Sequence, residues 1–194
     1  MRRLISKEEE ERKRKRNQTI LVVFLALIMV LSTIGFAIQS NSGTAQADGT
    51  LGNEIEYNGY RFVNQNGLWV LNNENFVFRY TPQEVPDIGS GLKPLNSYQG
   101  KPAYLYSEDN GAEVEIAVNL GQVVQRIQKA CPENTNCTLD LPVKTCADNF
   151  IIIREDTNNS IVQSNNCVYI QGTKEQLAAL ADQFLFKILG IREE

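Results

Sequence analysis

No histidine occurs anywhere in the chain. Its absence excludes Ser-His-Asp and Cys-His nucleophilic arrangements and H-E-x-x-H zinc sites, and it removes the commonest metal-ligating side chain. Cysteine is scarce, with four residues spaced C-x5-C-x8-C-x20-C. No C-x-x-C pair occurs, so thioredoxin-type exchange lacks its signature. No two cysteines stand at the short spacing of zinc ligands either. Basic residues are outnumbered, 19 Lys and Arg against 23 Asp and Glu. Residues 1–18 hold eight of the basic and four of the acidic side chains, leaving eleven basic and nineteen acidic over residues 39–194. A region so acidic repels phosphate backbones, and nucleic acid is not an expected partner. Nothing here calls for a cofactor or a metal.

Charge is also missing from Thr19 to Ile38, TILVVFLALIMVLSTIGFAI. An uncharged helix of about twenty residues matches a ~30 Å hydrocarbon core. The basic run Arg12 to Arg16 precedes it, and cationic flanks stay cytoplasmic. These features predict a signal-anchor: a charged cytoplasmic tail over 1–18, a transmembrane helix over 19–38, a flexible stalk over 39–53 and an extracytoplasmic domain over 54–194. The protein would then sit in the plasma membrane as a single-pass protein, with the lipid bilayer as one partner. Cleavage after Ala47, at Ala45-Gln46-Ala47, is the competing reading.

Within residues 54–194 the expected class is α+β, a largely antiparallel sheet with two main helices in the order β-hairpins, then β-α-β-β-α. Asn58-Gly59 and Asn66-Gly67 mark hairpin turns. Phe76, Phe78 and Tyr80 alternate and form one face of a strand. The Pro- and Gly-rich stretch 81–102 is a long connection, either a recognition loop or a crossover between subdomains. Val114, Ile116 and Val118 alternate as in a strand, while Leu120, Val123, Val124 and Ile127 follow with helical spacing and Asn119 as cap. Phe150 to Ile153 reads as a central strand buried on both faces. The stretch 173–190 predicts a helix with Thr173 and Gln176 as capping box and Gly190 at its end. Leu185, Phe186 and Leu189 widen its apolar surface, for a partner or for a groove on the sheet.

In an oxidising compartment four cysteines favour two bridges. If residues 146–167 form one antiparallel hairpin about the turn at Asp156 to Asn159, Cys146 faces Cys167, and Cys131 is left to pair with Cys137. Asn136-Cys137-Thr138 and Asn158-Asn159-Ser160 are N-x-S/T glycosylation acceptors.

The basic head with RNQTILVVFLALIMVLSTIGFA, the spaced cysteines with NFIIIRE and the C-terminal LADQFLFKILGI resemble uncharacterised archaeal single-pass membrane proteins with a cysteine-bearing ectodomain. The resemblance implies a location and a lineage, and no activity. The function expected is a membrane-anchored extracytoplasmic binding or envelope-assembly module that contacts another envelope protein and has no evident catalytic site. The alternatives are an enzyme using paired carboxylates, with Glu113 and Glu115 or Glu155 and Asp156 as candidates, and a thiol-redox or envelope folding factor, which needs an exposed thiolate.

Overall fold

Two Asn-Gly pairs shape the first described strands. Asn58 and Gly59, then Asn66 and Gly67, all have positive φ, 49°, 80°, 55° and 83°. A two-residue hairpin turn whose twist matches that of its strands needs that sign at both positions. They join β1 (Glu54–Tyr57), β2 (Tyr60–Gln65) and β3 (Leu68–Leu71), and β4 (Val77–Phe78) completes an antiparallel four-stranded sheet in the order β1-β2-β3-β4. The structure, a computed structural model, describes residues 52–192 except 73, 134, 136, 138 and 139. The expected tail, membrane helix and most of the stalk lie outside the described residues.

Among the described residues no helix is long and apolar enough to cross a membrane. The two helices, α1 (Asn110–Leu120) and α2 (Leu177–Ile188), have 11 and 12 residues. At about 1.5 Å per residue each is roughly half the length a bilayer core requires. The expected fold class is corrected accordingly to an α+β domain with two helices and a mixed sheet, with no N-terminal transmembrane helix in its description.

The second sheet is five-stranded, in the order β10-β11-β9-β5-β6. Its strands are β5 (Pro102–Ser107), β6 (Arg126–Lys129), β9 (Asn149–Glu155), β10 (Ser160–Ser164) and β11 (Cys167–Gly172). A third, two-stranded sheet joins β7 (Cys131–Pro132) and β8 (Val143–Lys144). The expectation of a largely antiparallel sheet fails. Strands β6, β5, β9 and β11 run parallel, and only β10 is antiparallel, to β11. The reason is visible in β9, whose Phe150, Ile151, Ile152 and Ile153 are all buried. A strand covered on both faces suits a parallel sheet with layers on either side.

Alternation divides the side chains between those layers. Ala103, Leu105, Ile151, Ile153, Val168 and Ile170 face α1 and α2, in one large apolar core. Tyr104, Phe150, Ile152 and Cys167 face the other way, in a small second core. The four-stranded sheet joins the large core through Phe62, Phe78 and Phe186, whose ring centroids stand 4.5 to 6.0 Å apart. Phe76 and Phe78 are buried and Tyr80 is half-buried. Leu185 and Phe186 are buried too, so the broad apolar surface of α2 is filled by the fold itself. Gly190, with φ 73°, ends that helix as its N–H bonds the Lys187 carbonyl. Gln176 precedes α2 without any side-chain cap, so the expected capping box does not form.

Two elements exchange places relative to the sequence reading. Residues 113–118 are helical, not a strand, and 126–129 are a strand, not the end of a helix. Helix α1 starts at Asp109, whose Oδ1 accepts from the Ala112 N–H at 2.7 Å. That bond satisfies one of the free donors of the first turn. The stretch 81–102 buries Val85 and Tyr98 and links the two sheets. Arg192 pins it by donating to the Val85 carbonyl at 3.2 Å and pairing with Asp87.

Candidate functional site

Strand β4 is an edge strand, and its free backbone groups need partners. Helix side chains supply them. Asn119 Oδ1 accepts from the Val77 N–H at 2.8 Å, and Asn119 Nδ2 donates to the Val77 carbonyl at 2.7 Å. Asp182 Oδ2 accepts from the N–H groups of Arg79 and Tyr80 at 3.0 and 2.9 Å. Arg79 Nε donates to Glu115 Oε1 at 3.1 Å. Glu115 and Asn119 lie four residues apart on α1 and so share a face, and Asp182 meets them from α2. The result is a polar seam sealed inside an apolar interface.

Glu115 is 6 % exposed and Asp182 0 %, while the Arg79 side chain is 47 % exposed. Burial raises the proton affinity of Glu115, which Arg79 partly offsets. Burial raises that of Asp182 well above the usual carboxylate range, and the charge of Glu115 adds to it. Asp182 Oδ1 has no hydrogen-bond donor. A proton on one of the two carboxyls would supply such a donor, and it would leave one negative charge facing the Arg79 cation. The pair then titrates as a unit.

The carboxylates expected to work together do not meet. Glu113 and Glu115 are two residues apart on a helix, so they point in different directions. Glu113 pairs with Lys129 at 2.7 Å on the surface, and Glu115 turns inward. Glu155 and Asp156 are exposed at a turn, where Asp156 Oδ1 accepts from the Asn158 N–H. Asp182 was not among the expected residues. Its signal is an acidic residue inside LAALADQFLF, a segment apolar on every side.

The cysteines form Cys131–Cys137 and Cys146–Cys167, with Cα separations of 6.0 and 4.9 Å, and no free thiol remains. The hairpin used to argue for the second pair does not exist. Strand β10 leaves the turn at 156–159 and pairs with β11, not β9, and Asn165 with φ 54° makes the tight turn instead. Cys146 reaches Cys167 because β9 and β11 are parallel neighbours, with Cys167 opposite Phe150. Asn158 is exposed on the turn before β10, and Asn136 lies outside the described residues. Among the described residues no three Cys, Asp or Glu side chains are placed to hold a metal ion.

No protein-family model, curated protein or solved structure matches the chain. The resemblance to archaeal single-pass membrane proteins therefore has no support, and it is corrected. The readings built on the membrane helix fall with it: a plasma-membrane location, a lipid-bilayer partner, and an anchored binding or envelope-assembly role beside another envelope protein. Among the described residues the only helices are too short to carry them.

Proposed function

We propose that the domain is an enzyme of the acid–base type, in which Glu115 transfers the proton. The carrying observation is the convergence of Glu115, Asp182 and Arg79, with one buried Asp182 oxygen that no donor reaches. Asp182 is sealed off from solvent, and burial raises the proton affinity of Glu115 against the opposing pull of Arg79. Arg79 lies at the outer end and receives an anionic group of the substrate. An acid whose proton affinity is raised by burial suits general acid chemistry. The thiol-redox alternative has no thiol to use.

The test is a pH–rate profile on a panel of ester, amide and enol-forming substrates that carry a carboxylate or phosphate. Turnover should fall as pH rises through the titration of Glu115, and drop at least roughly 100-fold in Glu115→Gln. Arg79→Gln should raise KM more than it lowers kcat. If wild-type and Glu115→Gln proteins are equally inert across the panel between about pH 4 and 8, where such acids operate, the proposal fails.

A further inference from the structure

A second convergence of polar groups lies on the opposite face of the five-stranded sheet. Tyr104 projects from β5 toward the small core, and its ring is nearly covered. Arg126 Nη2, from neighbouring β6, donates to the Tyr104 hydroxyl at 3.3 Å. The Lys144 ammonium stands 4.0 Å from the ring centroid. Lys144 belongs to β8, two residues before Cys146, so the Cys146–Cys167 bridge ties it to the edge of the sheet. One carboxylate faces the group: Asp148 Oδ2 is 3.3 Å from Lys144 Nζ. Among the described residues Arg126 has no carboxylate within salt-bridge distance.

Arg126 therefore bonds the phenolic oxygen while Lys144 stands over the ring of the same tyrosine, with one carboxylate to balance the two cations. That leaves one positive charge uncompensated in a region whose overall charge is negative. A neutral tyrosine is a weak partner for a guanidinium and an ammonium, since both bind charged oxygens more strongly. Arg126 is exposed, so the group is open to solvent on that side.

We infer that Arg126, Lys144 and the Tyr104 hydroxyl form a binding site for a small oxyanion, a phosphate or phosphomonoester. The two cations turn from the phenol to the anion, and the phenol donates its own proton to it. The lowered proton affinity of Tyr104, set first by Lys144 and then by Arg126, is the sign that both cations are felt at its oxygen. The site is independent of Glu115, which lies beyond the sheet.

Inorganic phosphate titrated into the full chain, with sodium acetate and sodium chloride as comparison anions, tests the inference by amide and side-chain NMR shifts. Saturable shifts should cluster on Tyr104, Arg126 and Lys144, with phosphate binding more tightly than acetate and chloride without effect. Arg126→Gln and Lys144→Gln should each weaken binding roughly tenfold or more, and Tyr104→Phe less. A bound anion cancels the cations, so phosphate should also raise the pH at which Tyr104 ionises, read by phenolate absorbance and lost in Tyr104→Phe. Equal shifts with chloride, or phosphate affinity unchanged in Arg126→Gln, would overturn the site. Tighter binding of acetate than phosphate would overturn the assignment to phosphate. Arg126 is on the surface, so its variant keeps the test valid even if Lys144→Gln fails to fold.

Discussion

The two faces of the five-stranded sheet are held by different means. One face lies under α1, α2 and the four-stranded sheet, and buries three phenylalanine rings in mutual contact with long rows of Ile, Leu and Val. No disulfide touches it. The other face has five buried residues in its core, lies under a segment with two-residue strands, and carries both bridges. Where apolar burial is large it fixes the chain unaided, at about 1.5–3 kcal/mol per buried large side chain. Where the cover is too short to bury much, cross-links remove entropy from the unfolded chain instead.

The sharpest way to break this comparison is to remove apolar mass from the first face. Phe186→Ala is expected to cost about 3–5 kcal/mol in denaturant unfolding, because Phe62 and Phe78 both lose their partner. Next comes the pair Cys146→Ser with Cys167→Ser. The bridge closes a sequence separation of 21 residues, worth about 3 kcal/mol as loop closure in the unfolded chain. Its effect should be local as well as global. Hydrogen exchange should accelerate over 130–148, while β9 and β11 keep their protection under the helices. Equal acceleration on both faces would show that the faces are not separately held. Cys131→Ser with Cys137→Ser should cost less, about 2 kcal/mol, because its separation is 6.

The same contrast explains what could be read from residues alone. Local signals were legible: the Asn-Gly turns, the two-sided strand Phe150 to Ile153, the apolar helix 177–188 and Gly190 at its end. Helix 110–120 was not, because its inner face is Ala112, Glu115, Ile116, Asn119 and Leu120. Two of those five are polar, and Val114 and Val118 are about half exposed, 52 % and 49 %. The buried stripe was thus disguised and a false alternation put in its place. Parallel pairing of β9 with β11 was hidden because it depends on which distant strand becomes a neighbour, a property no single segment carries. The candidate site failed for a related reason. Glu115 was singled out with Glu113 as its neighbour in sequence, whereas its partners are Asp182 and Arg79, 67 residues after it and 36 before it. Only the acid inside an apolar helix hinted at the pairing.

The finest distinction between the faces is their response to pH. Among the described residues the disulfide face has no buried carboxyl pair, so its cover should hold equally across the range. The helix face contains Glu115 and Asp182, whose folded proton affinities are both raised. Unfolded, they ionise near about 4.3 and 3.9. A raised folded value means the native state keeps a proton that the unfolded state has released. The pair's contribution is therefore complete below about pH 4 and is lost as pH rises through the folded titration of the pair. Asp182→Asn keeps an oxygen for the Arg79 and Tyr80 N–H groups and offers a permanent N–H donor toward Glu115. Its stability should match that of the wild type near pH 4, exceed it at pH 8, and vary less between them. Urea unfolding at both pH values measures this difference. An unchanged pH slope in Asp182→Asn would mean that the two carboxyls share no proton, and the acid–base reading of the seam would lose its foundation.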